Sequence, residues 1–318
     1  MQDFFSAPEE ELPMTLRAIR KEIKKRGWKG GRYFSSTFSY AELTRPDGKT
    51  IKINSSTPAT SSFLSCMLAT DKYASYLIME SLGGISQPVT VRLTSDESKR
   101  REVLSSFLLK YPKIVVKPID GAHGNGVCTD ITSVEEAERF IKEIEYFATP
   151  DYVLAQEQLE TGGLETRVLC IDYKYVAAYH RIPAAVTGDG EHTVSELIDI
   201  ENSTFRTAPY KDILNYIDKT AANEYLEKNP IGDTIPEKGD KVQVVGICNA
   251  GKGGSMEDVT DTLPEEYRKM AEKIARGFSL PVVGVDFYND KVIEINCGPA
   301  LYYPDICVKK YIDYLETI

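Results

Sequence analysis

Val115-Val-Lys-Pro-Ile-Asp-Gly-Ala-His-Gly-Asn-Gly-Val127 decides how this chain is read. It runs from a short apolar strand pattern, through a lysine at the strand's end, into a loop with glycine at 121, 124 and 126. A lysine so placed puts an ammonium on anionic oxygens, and glycines let backbone N–H groups approach the same oxygens closely. Far downstream stand Gly284-Val-Asp-Phe287 and Ile293-Glu-Ile-Asn296. Residues two apart in a strand share a face, so Glu294 and Asn296 project together, with Asp286 on the preceding strand. Two acids and an amide suit Mg²⁺, which takes oxygen ligands in octahedral geometry. A phosphate grip and a metal cage together read as a nucleoside-triphosphate site. Taken singly, each half has a plainer alternative: glycine turns after strands are commonly structural, and the acids would serve equally well facing solvent on an edge hairpin.

The metal reading carries a demand on register. Asp286 shares a face with Glu294 only if the two are directly opposed, because a slip of one residue sends side chains to opposite faces. A turn with Asn289, Asp290 and Lys291 at its tip meets this demand. A two-residue Asn289-Asp290 turn is expected to pair Asp286 with Ile293 and lose the site.

The chain has 318 residues, 42% hydrophobic and 27% charged, enough for two or three units with buried cores. Its net charge of -10 argues against nucleic acid or an anionic membrane as the main partner. Neither a basic-then-apolar leader nor an apolar run of membrane-spanning length is present. Six cysteines and three histidines show no metal-type spacing, and reduced thiols point to the cytoplasm. Cys297 adjoins Asn296 but has no spaced base, so it reads as a small residue beside a metal ligand. Gly246-Ile-Cys-Asn-Ala-Gly-Lys-Gly253 imitates a phosphate loop but lacks the required hydroxyl after its lysine.

Along the chain, Pro13–Arg26 shows helical periodicity through Leu16, Ile19 and Ile23. Tyr33–Tyr40 and Glu42–Ile53 read as strands around the Pro46-Asp47-Gly48 turn. Strand, helix and strand follow at Val89–Leu93, Asp96–Tyr111 and Ile114–Lys117. Thr132 or Ser133 caps a further helix. Strands Val153–Gln158, Thr166–Ile171 and Tyr175–Ile182 precede a helix at Val194–Ile200 and a polar, proline-interrupted helical insertion over about 201–239. Strand–helix–strand units followed by a β-rich half give an α+β protein.

At this point the motifs carry a family. The chain resembles ATP-grasp ligases, within them the ATP-grasp domain of cyanophycin synthetase and of bifunctional glutathione synthetase. The resemblance rests on the glycine-loop strand, Leu154-Ala-Gln-Glu-Gln-Leu159 with Glu165-Thr-Arg167, Arg181 through Ile198, Asn249-Ala-Gly-Lys-Gly-Gly254 and Glu294-Ile-Asn-Cys-Gly-Pro299, and covers roughly 61–299. It implies an ATP-grasp fold: two α+β lobes gripping ATP, at 72–151 and 152–318, with an N-terminal substrate-side domain at 1–71. It implies Lys72 and Lys117 on the nucleotide phosphates, with Gly121, His123, Gly124 and Gly126 in the covering loop. Gln156, Glu157 and Leu159 fall in the hinge that meets adenine, and Glu165 matches the acid on the ribose. Asp286, Glu294 and Asn296 match ligands of Mg²⁺, taken as two ions. Arg181 and Asn249 match residues of the phosphoryl-transfer region, and Arg167 either joins them or pairs with Glu165.

The implied chemistry joins a small-molecule carboxylate to an amine through an acyl-phosphate, on amino acids or short peptides. A homo-oligomer is left open. Two other readings stand beside it: a nucleotide-binding sensor without turnover, and a kinase that stops at phosphoryl transfer. Unlike cyanophycin synthetase, this sequence has no further ligase domain after the ATP-grasp part, so polymer synthesis by alternating steps is not expected. In the first segment Arg32, Ser35, Ser36 and the Ser55–Ser62 stretch are the candidate substrate contacts.

Overall fold

The computed structural model describes residues 2–120, 126–144, 153–160, 162–204, 216–246, 248 and 250–318. The chain divides into two compact units, the first made of Met1–Gly163, Val168–Ala177 and Asp261–Ile318, the second of Leu164–Arg167 and Ala178–Thr260.

The first unit opens with β1 (Gln2–Asp3), α1 (Met14–Lys25), β2 (Arg32–Ser35), β3 (Ser39–Thr44), β4 (Thr50–Asn54) and β5 (Thr57–Pro58). The strands form an antiparallel sheet in sequence order. The apolar stripe of α1 is buried at Leu16, Ile19 and Ile23, as its spacing requires. The expected single strand over Tyr33–Tyr40 is instead a hairpin, with Ser35 opposite Ser39. The reversal has no glycine or proline. It is closed by Ser36, whose N–H donates to Phe38 O at 2.9 Å and whose Oγ accepts from Phe38 N at 3.3 Å. Such hydroxyl-closed turns leave a weak sequence signal.

Two helices follow, α2 (Phe63–Thr70), capped by the Ser62 hydroxyl, and α3 (Lys72–Leu82), capped by Asp71. Next come β6 (Thr90–Arg92), α4 (Glu97–Lys110), β7 (Ile114–Pro118), β8 (Cys128–Ile131), α5 (Val134–Ile144) and β9 (Val153–Glu157). The four strands form a sheet ordered β6-β9-β7-β8. Its period of two separates the faces. Val91, Ile114, Val116, Val153 and Ala155 pack with Leu104 and Phe107 of α4 and Ala137, Ile141 and Ile144 of α5. Beneath these helices Arg100 holds Glu138 in a buried bidentate pair at 2.9 and 2.7 Å. The opposite face carries Thr90, Val115, Lys117 and Gln156.

Then come β10 (Glu165–Ile171) and β11 (Lys174–Ile182). In the second unit, β12 (Ala185–Thr187), α6 (Val194–Thr204), α7 (Lys219–Lys228), β13 (Lys241–Gln243) and β14 (Ser255–Asp258) follow. There β12 pairs with β13, and β14 pairs with the Tyr179–Ile182 end of β11. Val186, Val194, Leu197, Ile198, Ala222, Val244 and Val245 make a core of this unit's own. The first unit closes with α8 (Glu265–Gly277), β15 (Val282–Tyr288), β16 (Lys291–Asn296) and α9 (Asp305–Thr317). Among the described residues no helix is long and apolar enough to cross a membrane.

Candidate functional site

Strand register brings the first polar group together. Thr90 of β6 lies directly opposite Gln156 of β9, and Gln156 directly opposite Val115 of β7. Opposed residues share a face, as do Val115 and Lys117 two positions on. Lys117 Nζ donates to Gln156 Oε1 at 2.7 Å, and Gln156 Nε2 donates to Thr90 Oγ1 at 2.7 Å. Lys117 is only 9% exposed. Its ammonium is pushed down to about 8, first by burial and then by the positive charge of Lys72, against the pull of Glu294.

Lys72 is the first residue of α3. Asp71 fixes that helix start by accepting from Tyr73 N at 2.9 Å and Ala74 N at 2.8 Å. Lys72 N donates to Ile119 O at 3.1 Å, which ties the helix start to the segment leaving β7. Its ammonium stands 3.9 Å from Glu294 Oε1. Burial lowers the Lys72 pKa, while Glu294, Asp120 and Asp71 act to raise it.

The β15–β16 hairpin supplies the acids and corrects the expectation about its turn. Tyr288 pairs with Lys291, so the turn is the tight Asn289-Asp290 one. Asn289 sits at φ 52°, a left-handed conformation asparagine tolerates. Asp286 nevertheless lies opposite Glu294, because the register shifts between Asp286 and Phe287. A bulge absorbs Ile293, the second of two successive apolar residues, and restores the parity that the tight turn removes. Val292 thereby stays buried. Asn296 Nδ2 donates to Asp286 Oδ2 at 3.2 Å, and Asp286 is 1% exposed.

These side chains converge on a cavity of about 160 Å³, lined by Lys72, Lys117, Gln156, Glu294 and Asn296, with Asp120 and Cys297 at its walls. Among the described residues no three His, Cys, Asp or Glu side chains cluster in metal-ligand fashion. The oxygen set here is two carboxylates and one amide. Directly opposed carboxylates repel, and a buried one needs compensating charge. The donor chemistry therefore fits a hard divalent cation.

The strand end after Gln156 is braced. Glu157 accepts from Lys291 Nζ at 2.7 Å and from Val89 N at 3.1 Å. Gln158 Nε2 donates to Asp130 Oδ1 at 3.0 Å. Tyr288 donates its hydroxyl to Glu160 O at 2.8 Å and accepts from Gly163 N at 2.8 Å. A Cβ on Gly163 would lie 2.3 Å from the Tyr288 ring, so glycine is required there. Thr90, Tyr288 and Lys291 escaped the sequence reading, since only strand pairing over long separations reveals them. Of the residues expected in the hinge, Gln156 turns its side chain into the cavity, Glu157 spends its own on Lys291 and Val89, and Leu159 is half-buried.

In the second unit Arg181 Nη1 donates to Glu165, forming an ion pair. Thr166 Oγ1 bonds His180 Nδ1 at 2.9 Å, and Arg167 is buried. The Cys248 thiol is pushed up to about 11, chiefly by burial and also by Glu165. Gly121, His123, Gly124 and Asn249 lie outside the described residues. Gly126 has φ 69°, which only glycine adopts freely.

The N-terminal candidates are engaged in local structure. Arg32 pairs with Glu42 at 2.8 Å, and Ser35 and Ser36 build the hairpin. Ser56 Oγ donates to Pro299 O at 2.6 Å and Thr57 Oγ1 to Cys297 O at 3.0 Å, fastening this segment to the chain just past β16.

The fold is that of the ATP-grasp class. The chain is a member of the ATP-grasp family, with residues 87–195 matching the family described as prokaryotic glutathione synthetase, ATP-grasp domain. It is 32% identical over 263 residues to cyanophycin synthetase of Crocosphaera subtropica, covering 76% of this chain and 28% of that protein. It is 30% identical over 236 residues to the glutathione biosynthesis bifunctional protein of Pasteurella multocida, covering 69% of this chain and 30% of that one. The chain thus spans less than a third of the length of these curated relatives. The crystal structure of the bifunctional glutathione synthetase from Pasteurella multocida shares the fold at TM-score 0.65 and 21% identity, covering 96% of this chain and 44% of that one. D-alanine–D-alanine ligase from Bacillus anthracis does so at TM-score 0.50 and 14% identity, covering 81% of this chain and 71% of that one.

Proposed function

We propose that this protein is an ATP- and Mg²⁺-dependent ligase that joins a carboxylate to an amine, with an amino acid or short peptide among its substrates. The observation that carries the reading is the convergence of Lys72, Lys117, Gln156, Glu294 and Asn296 on one cavity, with Asp286 buried behind it. Lys72 and Lys117 would hold phosphate oxygens, and the strand end at Gln156–Leu159 would receive adenine. Asp286, Glu294 and Asn296 would hold Mg²⁺, taken here as two ions that neutralise charge on the phosphates. For Glu165, Arg181 and Asn249 the reading rests on resemblance rather than on the cavity. A reducing compartment, the cytoplasm, fits the cysteine spacing read from the sequence.

In the first step a substrate carboxylate oxygen bonds to the γ-phosphorus while the bond to the β-bridging oxygen breaks, giving acyl-phosphate and ADP. In the second the amine bonds to the acyl carbon, phosphate leaves, and the nitrogen gives up a proton. The protein's part is positioning and charge stabilisation, the general pattern of phosphoryl transfer. The two lysines would face the charge that develops.

An ADP-release screen over amino-acid and dipeptide pairs, with mass spectrometry of the product, tests this. The reading expects ADP formation with amide product and phosphate release that depends on the added amine. ADP with a stable phosphorylated product and no amine dependence would show a kinase, and nucleotide binding without ADP formation a sensor.

A further inference from the structure

The chain Lys117–Gln156–Thr90 has a direction. Lys117 offers only donors, so the atom of Gln156 facing it must be the carbonyl Oε1. That leaves Nε2 facing Thr90, 2.7 Å from its Oγ1. The Thr90 hydroxyl hydrogen is directed to Pro88 O at 3.0 Å, so Oγ1 meets the Gln156 amide with a lone pair. Each of the three contacts then pairs a donor with an acceptor. The polarity is set at both ends, by Lys117, which only donates, and by the Pro88 carbonyl, which only accepts. Thr90 is 4% exposed and lines the same cavity as Lys117 and Gln156.

We infer that Thr90 is a positioning residue: its hydroxyl locks the Gln156 amide so that Oε1 holds the Lys117 ammonium in the cavity. The inference rests on the reading of Lys117 as a phosphate-binding lysine only for its functional consequence, not for its geometry. Without the hydroxyl, Nε2 loses the acceptor that fixes it, and mobile water in the cavity would not hold the amide in one orientation. The amide then turns toward other partners for part of the time, which draws Oε1 off the Lys117 ammonium. The charged groups around Lys117 are Lys72 on α3, Glu294 on β16 and Asp120 beyond β7. None of them replaces the lost acceptor without moving.

The test is the titration of Lys117, followed by NMR in nucleotide-free protein labelled at lysine Cε, with Lys117→Met assigning the resonance. The wild type is expected to titrate near pH 8. Thr90→Val is isosteric and should move the titration down by about 1 unit, the size of one charge-assisted hydrogen bond. Thr90→Ser keeps the hydroxyl and should restore the wild-type value. Thr90→Ala gives the same prediction as Thr90→Val should the valine variant fail to fold. An unchanged titration in a folded Thr90→Val or Thr90→Ala variant overturns the inference. Calorimetric binding of ATP with Mg²⁺ separates the two proposals. If the titration shifts and the wild type binds ATP, the affinity of Thr90→Val should fall several-fold. If the titration shifts but the wild type binds no ATP, the positioning role stands and the ligase reading falls.

Discussion

In the proposed reading, Lys117 sets stability against function in one side chain. Its folded pKa, about 8, lies below the ordinary lysine value near 10.4. Between those values the unfolded chain binds more protons than the folded one, so this group makes stability rise with pH through that window. Below pH 8 both states are protonated and the cost of burial together with the Lys72 charge is fully present, about 3 kcal/mol. Lys117→Met should therefore stabilise nucleotide-free protein at pH 7 by up to ~3 kcal/mol and flatten the rise in stability between pH 8 and 10, read by urea unfolding. The same change should lower ADP formation by about 10²–10³-fold, the worth of one charge-stabilising contact. A variant that keeps activity within a few-fold removes Lys117 from the site. The sequence showed this lysine because a strand end followed by glycines is a local pattern. Its partners Gln156 and Thr90 were invisible as partners, since they lie 39 and 27 positions away and meet it only through sheet pairing.

The β15–β16 hairpin makes the same point at the scale of an element. Which acids oppose each other was read correctly as a requirement, but turn length alone does not fix register. The alternation Val292, Ile293, Glu294 carries one apolar residue too many for a straight ladder after a tight turn, and a bulge is the outlet. The turn itself rests on Asn289 at positive φ. Asn289→Val places a β-branched residue there and should cost about 1–2 kcal/mol in denaturant unfolding, with Asn289→Gly near neutral. Equal stability of the two variants would show that the turn adapts. The α4–α5 layer offers a second check. Glu138→Ala leaves the buried Arg100 guanidinium without its bidentate partner and should destabilise by about 3–5 kcal/mol. This pair is not evident from charge pattern, because α4 and α5 are separated by two strands whose pairing decides which helix faces meet. The N-terminal sheet was legible only in part for a related reason: the Ser36–Phe38 reversal is closed by a hydroxyl rather than by glycine or proline.

Across the whole molecule, the α+β class and the family were legible because several local motifs occur in order, each carrying its own chemistry. The first 60 residues gave no comparable pattern, and their sheet is held by strand pairing and by contacts such as Ser56 with Pro299, which join segments 243 positions apart. Ligand linkage gives a test at this scale. A ligand that binds only folded protein stabilises it by about 2.7 kcal/mol at a hundredfold excess over Kd. If Asp286, Glu294 and Asn296 hold Mg²⁺ against ATP phosphates, the two ligands must reinforce each other. The unfolding midpoint should then rise more with ATP and Mg²⁺ together than the sum of the rises with each alone. Glu294→Gln keeps size and hydrogen bonding but removes one charge from the pair opposite Asp286. It relieves carboxylate repulsion but also removes the charge facing the Lys72 and Lys117 ammoniums, so the unliganded midpoint should change little. The cooperative increment should vanish, leaving at most the shift given by ATP alone. A scan in which Glu294→Gln retains the full increment would place the metal elsewhere, and one in which wild type shows no increment at millimolar ATP and Mg²⁺ would remove the nucleotide reading of the cavity.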